Sequence, residues 1–283
     1  MSTVPAALLV DADSAAGSAA DRVGLRVTEL REFAEHEAAV ALLCAVWGAD
    51  SPADLVNISL LRALAHAGNY VAGGYSGARL VGAAVGFFGT GHLHSHITGV
   101  DRTAQAKGVG FALKQHQRAW TLRRGLTRIR WTFDPLVRRN AYVNLAKLGA
   151  AATAYLPDFY GPLDDGLNVG EPSDRLYVDW RLDAPAAVAA AHGEPHLVAP
   201  APGGYHLLDC VADEPVPGGP VPAGAETLLV AVPADIEALR RERPAVAARW
   251  RPAVRAALVD GFTAGYEIAG VTEDGRYVLA RTR

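Results

Sequence analysis

Cysteine, methionine and lysine are scarce in this sequence. Cys44 and Cys210 are the only cysteines in 283 residues. Two thiols so far apart exclude a disulfide-stapled scaffold, and no paired Cys/His spacing marks a structural zinc. No apolar run reaches the roughly 18 residues that a membrane helix needs. Neither sign of charge dominates: 27 basic and 30 acidic residues give a net charge of -3. That balance excludes a generally basic nucleic-acid binder and leaves room for a local basic patch. The first twenty residues are rich in alanine, carry Asp11 and Asp13, and lack the basic stretch that opens a secretory signal. Together these absences predict a soluble protein of a reducing, cytoplasmic compartment, with no nucleic-acid partner, no membrane partner and no metal. Abundant alanine and arginine beside scarce lysine reflect codon usage rather than function.

What is present is an ordinary globular core, with half of the residues hydrophobic. The length suits one large domain or two small ones. Residues 1–23 read as a loose leader. Leu25 to Leu30 alternates like a strand. Phe33 to Trp47 places Ala38, Leu42, Leu43 and Val46 at helical spacing. Ser51-Pro52 looks like a helix opening, with the helix running to Ala67. Asn69 to Tyr75, Leu80 to Phe88 and His92 to Val100 predict an antiparallel meander. A helix follows over Gly108 to Arg124, a strand over Arg128 to Asp134, and a helix over Pro135 to Leu148. Two more strands are expected within 150–160 and 174–182.

Residues 184–224, rich in Pro, Gly and Ala, read as a connection with a short strand at Tyr205 to Cys210. Beyond it, residues 225–283 predict a strand at Thr227 to Val232 and a helix over Asp235 to Gly261. A hairpin from Tyr266 to Arg281 closes the chain. This strand–helix–strand–strand order repeats that of residues 128–182, which suggests a partial internal repeat.

The chemistry concentrates where the meander meets the next helix. Gln105-Ala106-Lys107-Gly108-Val109-Gly110 lies between a strand and a helix. Such a junction offers unbonded backbone N–H groups and the positive end of a helix, and glycine lets the backbone approach a phosphate. A pyrophosphate cradle and a plain N-cap turn both fit. The Gly-Lys-Ser/Thr of a Walker loop is absent, and Phe111 and Ala112 do not supply the third glycine of a dinucleotide fold. His94 and His96 are two apart on the strand, so they share a face, and imidazole titrates near neutrality. Asp134 suits either a cationic substrate or a helix cap.

Val100, Gln105, Gly108 and Gly110 resemble the acyl-CoA-binding motif of the GNAT acetyltransferases, a strand-end valine followed by Gln/Arg-x-x-Gly-x-Gly/Ala. The predicted element order over roughly 24–182 is also that family's. Ala141 and Lys147-Leu148-Gly149 resemble its second motif. The resemblance implies an α+β fold over residues 24–183: a mixed, mostly antiparallel central sheet flanked by helices, with a smaller C-terminal α/β unit. It implies acyl-CoA as co-substrate and a small-molecule or peptide amine as acceptor. The backbone of Thr98, Gly99 and Val100 would bond the pantetheine arm, and two strands would splay there, commonly at a β-bulge. Gln105, Ala106, Lys107, Gly108, Val109, Gly110 and Phe111 would wrap the pyrophosphate, and Asn140 or Asn144 would approach the pantetheine. Arg118, Arg123, Arg124, Arg138 and Arg139 would add positive charge.

Acyl transfer needs a base for the amine, donors for the oxyanion and a proton for the thiolate. The family's usual tyrosine acid falls at Leu145, and its usual aromatic after the glycine at Ala150. Tyr142, one turn earlier, is the first substitute, followed by Tyr155 and Tyr160; His94 and His96 are the candidate bases. The lost tyrosine keeps two alternatives open: an acyl-CoA-binding or sensing domain, and an acyl-CoA enzyme of other chemistry such as decarboxylation.

Overall fold

The computed structural model describes residues 4–49, 55–161, 172–200 and 202–281. The chain divides into two compact units. One runs to Trp131 and also takes Arg181–His192; the other begins at Thr132 and takes the remaining described residues. The division falls inside a strand, not in the expected connection at 184–224.

The first unit opens with helix α1 (Ala6–Asp21), where a loose leader was expected. Its buried residues Ala12, Ala15 and Ala19 recur at three and four positions, so they line one helical face. Alanine also carries the highest helix propensity. Strand β1 (Arg26–Glu29) and helices α2 (Phe33–Trp47) and α3 (Ile58–His66) follow. The expected opening of α3 at Ser51-Pro52 lies outside the described residues. Its N-cap is Asn57, whose side chain accepts from the Ser59 N–H at 2.8 Å.

Strands β2 (Tyr70–Ser76), β3 (Arg79–Gly89) and β4 (His92–Val100) form the expected antiparallel meander. A turn leads to α4 (Val109–Arg123), then to β5 (Arg128–Phe133). The strand order is β1-β2-β3-β4-β5, antiparallel except for the β4–β5 pair. Helix α6 (Pro185–Ala191) also belongs to this unit, within the segment expected to be a plain connection.

Each face of the sheet is covered. Leu43 and Val40 of α2 and Leu61 of α3 share one core with Val71, Val85 and Ile97. Ala19 of α1 and Val109, Ala112 and Leu113 of α4 share the other with Val81. Small residues in β3 and β4 set how closely the helices approach. A Cβ on Gly82 would meet Leu113 at 2.9 Å, and one on Gly99 would meet Leu43 at 2.7 Å.

The second unit begins within β5. Pro135 leads to a single α-turn, α5 (Arg138–Ala141), and then to a π-helical stretch, Tyr142–Lys147, in place of a regular helix to Leu148. The Leu148 N–H donates to the Val143 carbonyl, five residues back, at 2.9 Å. Strands β6 (Ala151–Leu156) and β7 (Arg175–Arg181) pair antiparallel. Strands β8 (Tyr205–Val211), β9 (Glu214–Pro217) and β10 (Thr227–Val230) precede helices α7 (Ile236–Glu242) and α8 (Pro244–Thr263). The single helix expected over 235–261 is broken at Arg243-Pro244. Strands β11 (Tyr266–Val271) and β12 (Tyr277–Arg281) end the described chain.

The smaller sheet has the order β11-β12-β10-β8-β9. Strand β9 carries Pro215 and Pro217 and was not anticipated from sequence. It is an edge strand, where a missing N–H is tolerated. In this smaller sheet the last strand, β12, lies between β10 and β11.

Two charge clusters lie inside this unit. Asp134 accepts from Arg251 at 3.1 and 2.8 Å and from the Leu136 N–H at 2.9 Å. Arg240 stands 3.5 Å away. Asp174 receives Arg255 and the Tyr155 hydroxyl, the latter at 2.6 Å.

Candidate functional site

The first unit contains a fork. Strand β4 pairs with β5 only through Leu93↔Ile129 and His94↔Arg130. Beyond that point β4 keeps β3 alone. The β3 register shifts there: Val85 pairs with Ile97 and Gly86 with Ser95, so His96 is an extra residue on β4. This is the β-bulge that the resemblance implied, and it bends β4.

Past the bulge, β4 offers backbone groups on its open edge. The Asp101 N–H donates to the Val81 carbonyl at 2.9 Å. Antiparallel bonding alternates along a strand, so Gly99 turns its amide toward β3, whereas Thr98 and Val100 turn theirs away. The Val100 carbonyl already accepts from the Gln105 side chain at 3.2 Å. Thr98 and Val100 thus present their amides on the open edge of β4, and Gly99 does not.

The turn after β4 is held by Asp101, whose carboxylate accepts from the Thr103 N–H at 2.9 Å and pairs with Arg79 at 2.8 Å. Ala106 has φ +60° and Gly108 φ +91°, both in the left-handed region. Alternating handedness turns successive N–H groups toward one point and makes an anion-binding nest. Gly108 is the N-cap of α4, and among the described residues no side chain caps that helix. The first intrahelical donor is the Ala112 N–H, to the Gly108 carbonyl at 3.0 Å. The N–H groups of Val109, Gly110 and Phe111 therefore have no partner within the helix. Gln105 and Lys107 are exposed beside them.

The two glycines differ. A side chain at Gly108 meets left-handed strain and a contact with Val23 at 3.0 Å. A Cβ on Gly110 meets only Val100, at an ordinary 3.7 Å.

His94 and His96 share one face, as their spacing predicts, with ring centroids 6.4 Å apart. Both pack on Phe87, at 4.9 and 5.8 Å. Loss of water around His94, reinforced by His96, His92 and Lys114, lowers its pKa to about 4. Desolvation lowers His96 as well. Both are neutral at pH 7, and His94 is a weak base. Among the described residues no group of three His, Cys, Asp or Glu side chains is arranged for a metal.

Asn140, Tyr142 and Asn144 belong to the second unit. Asn144 is buried inside the π-helical stretch, where its carbonyl accepts from the Ala150 N–H at 3.0 Å. Tyr142 opens that stretch, half-buried, with the Lys147 ammonium 5.8 Å from its ring. Leu145 is buried.

Other expected participants are engaged elsewhere. Tyr155 is bonded to Asp174, and burial plus that carboxylate push its pKa far up, which disqualifies it as an acid. Tyr160 bonds Thr132 at 3.0 Å. Asp134 caps Leu136 and is closed off by Arg251, so it does not bind a cationic substrate. Arg118 is buried against Asp11 and the Leu182 carbonyl. Arg123 pairs with Asp13, Arg124 lies 3.4 Å from the Trp120 ring centroid, and Arg139 bonds Glu237 at 2.8 Å. These arginines hold the fold together.

Lys114 was not singled out from sequence. Its ammonium bonds Ser95 at 2.8 Å and Gln117 at 3.2 Å, and stands 4.2 Å from the Trp131 ring centroid. No local motif marks it, because its partners come from three different elements.

No protein-family model and no curated protein matches the chain. Among solved structures, the chain is similar to the ribosomal-protein-S18-alanine N-acetyltransferase of Escherichia coli. Identity is 14%, over 56% of this chain and 95% of that one, with a TM-score of 0.47. It is similar to an N-acetyltransferase of Staphylococcus aureus Mu50, at 13% identity over 56% and 98%, with a TM-score of 0.46. A third similar structure is yncA, a putative acetyltransferase of Salmonella typhimurium with its cofactor acetyl-CoA. There identity is 20%, over 58% and 96%, with a TM-score of 0.45.

Proposed function

We propose that this chain is an acyl-CoA-dependent acyltransferase that moves an acetyl or other acyl group from CoA to an amine acceptor. One observation carries the reading: a bulged β4 leaves β5 at His94 and leads, through the turn at Asp101 to Lys107, into a helix start at Gly108 that no side chain of the described residues caps. A strand edge with unpaired amides suits a pantetheine arm. An N–H nest at a helix start suits the pyrophosphate that follows it in CoA.

In this reading the amides of Thr98 and Val100 bond the pantetheine. The nest at Ala106 to Phe111 takes the pyrophosphate, with Lys107 beside it. The thioester lies at the fork, where a β4 amide stabilises the oxyanion as the amine attacks. His94 and His96, neutral at working pH, orient the acceptor.

Leu145 favours one other reading, an acyl-CoA-binding module without transfer, because an aliphatic side chain cannot protonate a thiolate. Thiol release from acetyl-CoA, measured against free amino acids, polyamines and peptides with free N-termini, separates the two. Transfer predicts that one acceptor class raises CoA release at least tenfold above hydrolysis. CoA binding with no amine-dependent release from any class would leave the binding module.

A further inference from the structure

The fork has a side chain at its apex. His94↔Arg130 is the last pair joining β4 and β5. The next residue on β4 is Ser95, and the next on β5 is Trp131. The Lys114 ammonium touches both, at 2.8 Å from the Ser95 hydroxyl and 4.2 Å from the Trp131 ring centroid. It reaches there from α4, the same helix whose start forms the nest.

We propose that Lys114 carries the proton of the acyl transfer, taking it from the attacking amine and delivering it to the departing thiolate. This rests on the acyl-CoA reading above. The acceptor nitrogen forms its bond to the thioester carbon, and the carbonyl electrons move to oxygen. The neutral Lys114 amine removes one proton from that nitrogen. The oxyanion collapses, the carbon–sulfur bond breaks, and sulfur leaves with the electron pair. The Lys114 ammonium then protonates the sulfur. The products are an amide and CoA thiol, with Lys114 neutral again. A single group does the work of both base and acid, so no tyrosine is needed at Leu145.

The surroundings suit a group that changes charge. Among the described residues no carboxylate bonds the ammonium. The titratable groups flanking Ser95 on β4 are His94 and His96, both neutral at pH 7. On α4, His116 is also neutral, with a pKa lowered to about 4. Arg118 on α4 is bonded to Asp11, and Arg130 is the residue of β5 next to Trp131. Burial without a counter-charge lowers Lys114 to about 7. An ammonium of that pKa is a stronger acid than a thiol near 8.5 and can protonate a thiolate. The Ser95 hydroxyl accepts from the ammonium and donates to the neutral amine, so it follows either state. Gln117 takes a second N–H, and its Nε2 has no hydrogen-bond partner among the described residues.

The sequence makes the test clean, because Lys107, Lys114 and Lys147 are its only lysines. The full-length protein is trace-labelled with acetic anhydride from pH 5.5 to 10.5, and each lysine is followed by mass spectrometry. Lys114 should label with a midpoint near 7, roughly three units below an ordinary lysine near 10.4. Saturating CoA should slow it at least tenfold. A midpoint near 10, or no labelling at any pH, overturns the proposal.

Calorimetry on the same sample separates the two failures. If CoA binds without protecting Lys114, this inference falls and the acyl-CoA reading stands; if CoA does not bind, both fall. With an active acceptor, Lys114→Met and Lys114→Arg should each lose about 10²–10⁴-fold in kcat with CoA affinity retained. In either variant the acidic limb of the rate profile near pH 7 should vanish. Parent-like profiles would also overturn the proposal.

Discussion

Asp134→Ala is expected to cost about 3–5 kcal/mol of stability, the usual penalty for stranding one member of a buried ion pair. Asp134 and Arg251 are 9% and 2% exposed and share two hydrogen bonds. Burial alone would raise the Asp134 pKa. The Arg251 hydrogen bonds and charge, the Leu136 N–H and Arg240 outweigh it and hold the carboxyl below its usual range. A depressed carboxyl stabilises the fold above its unfolded pKa near 3.9, and that stability is lost as pH falls through the folded value. The variant should therefore lose stability at pH 7 and show a flatter acid limb in urea unfolding. A loss under about 1 kcal/mol, the range of exposed pairs, would mean that water reaches this cluster.

Lys114→Met is expected to stabilise the protein at pH 7. Among the described residues the parent side chain has no carboxylate partner, and burial lowers its pKa from 10.5 to about 7. Between those values the unfolded chain holds a proton that the folded chain has released. Stability contributed by this site therefore rises with pH across the window, and the full penalty applies below pH 7. Removing the amine abolishes that slope. The gain at pH 7 should be at least about 1 kcal/mol, the low end of the cost of burying a charged amine whose hydrogen bonds to Ser95 and Gln117 offset its desolvation only in part. That corresponds to a Tm higher by about 2–4 °C. Thermal unfolding of parent and variant from pH 6 to 9 reads this directly, with other groups cancelling in the difference. Parallel curves would show that Lys114 titrates like an exposed lysine. A group that weakens the fold and sits at the fork is the pattern expected of a functional residue.

Strands and glycine punctuation were legible because each is local. The β2–β3–β4 meander, the Gly108 helix start and the final hairpin follow from alternation and from glycine at turns. Helix α1 was missed because Ala12, Ala15 and Ala19 form a face too small to register as apolar. Arg118, facing Asp11, reads in sequence as one more surface arginine. A bulge was expected near the motif strand, yet nothing in His94-Ser95-His96 says which residue is extra. Asp134 has two sequence readings, and Arg251, 117 residues later, decides between them. Lys114 reads as one more polar position on an amphipathic helix. Its role depends on Ser95 and Trp131, which only the folded sheet brings to it.

In the proposed function the strand edge at Thr98–Val100 and the nest at Ala106–Phe111 form a CoA site. Calorimetric titration of CoA into the parent and into Gly110→Val tests it most directly. Gly110 is the better position because its conformation is ordinary and its Cβ direction touches only Val100. The variant should fold like the parent, checked by its Tm, while its side chain crowds the N–H groups of the first turn. One saturable CoA site is expected in the parent and at least a tenfold weaker one in Gly110→Val. No heat of CoA binding in the parent, or equal affinity in a folded Gly110→Val, would contradict it.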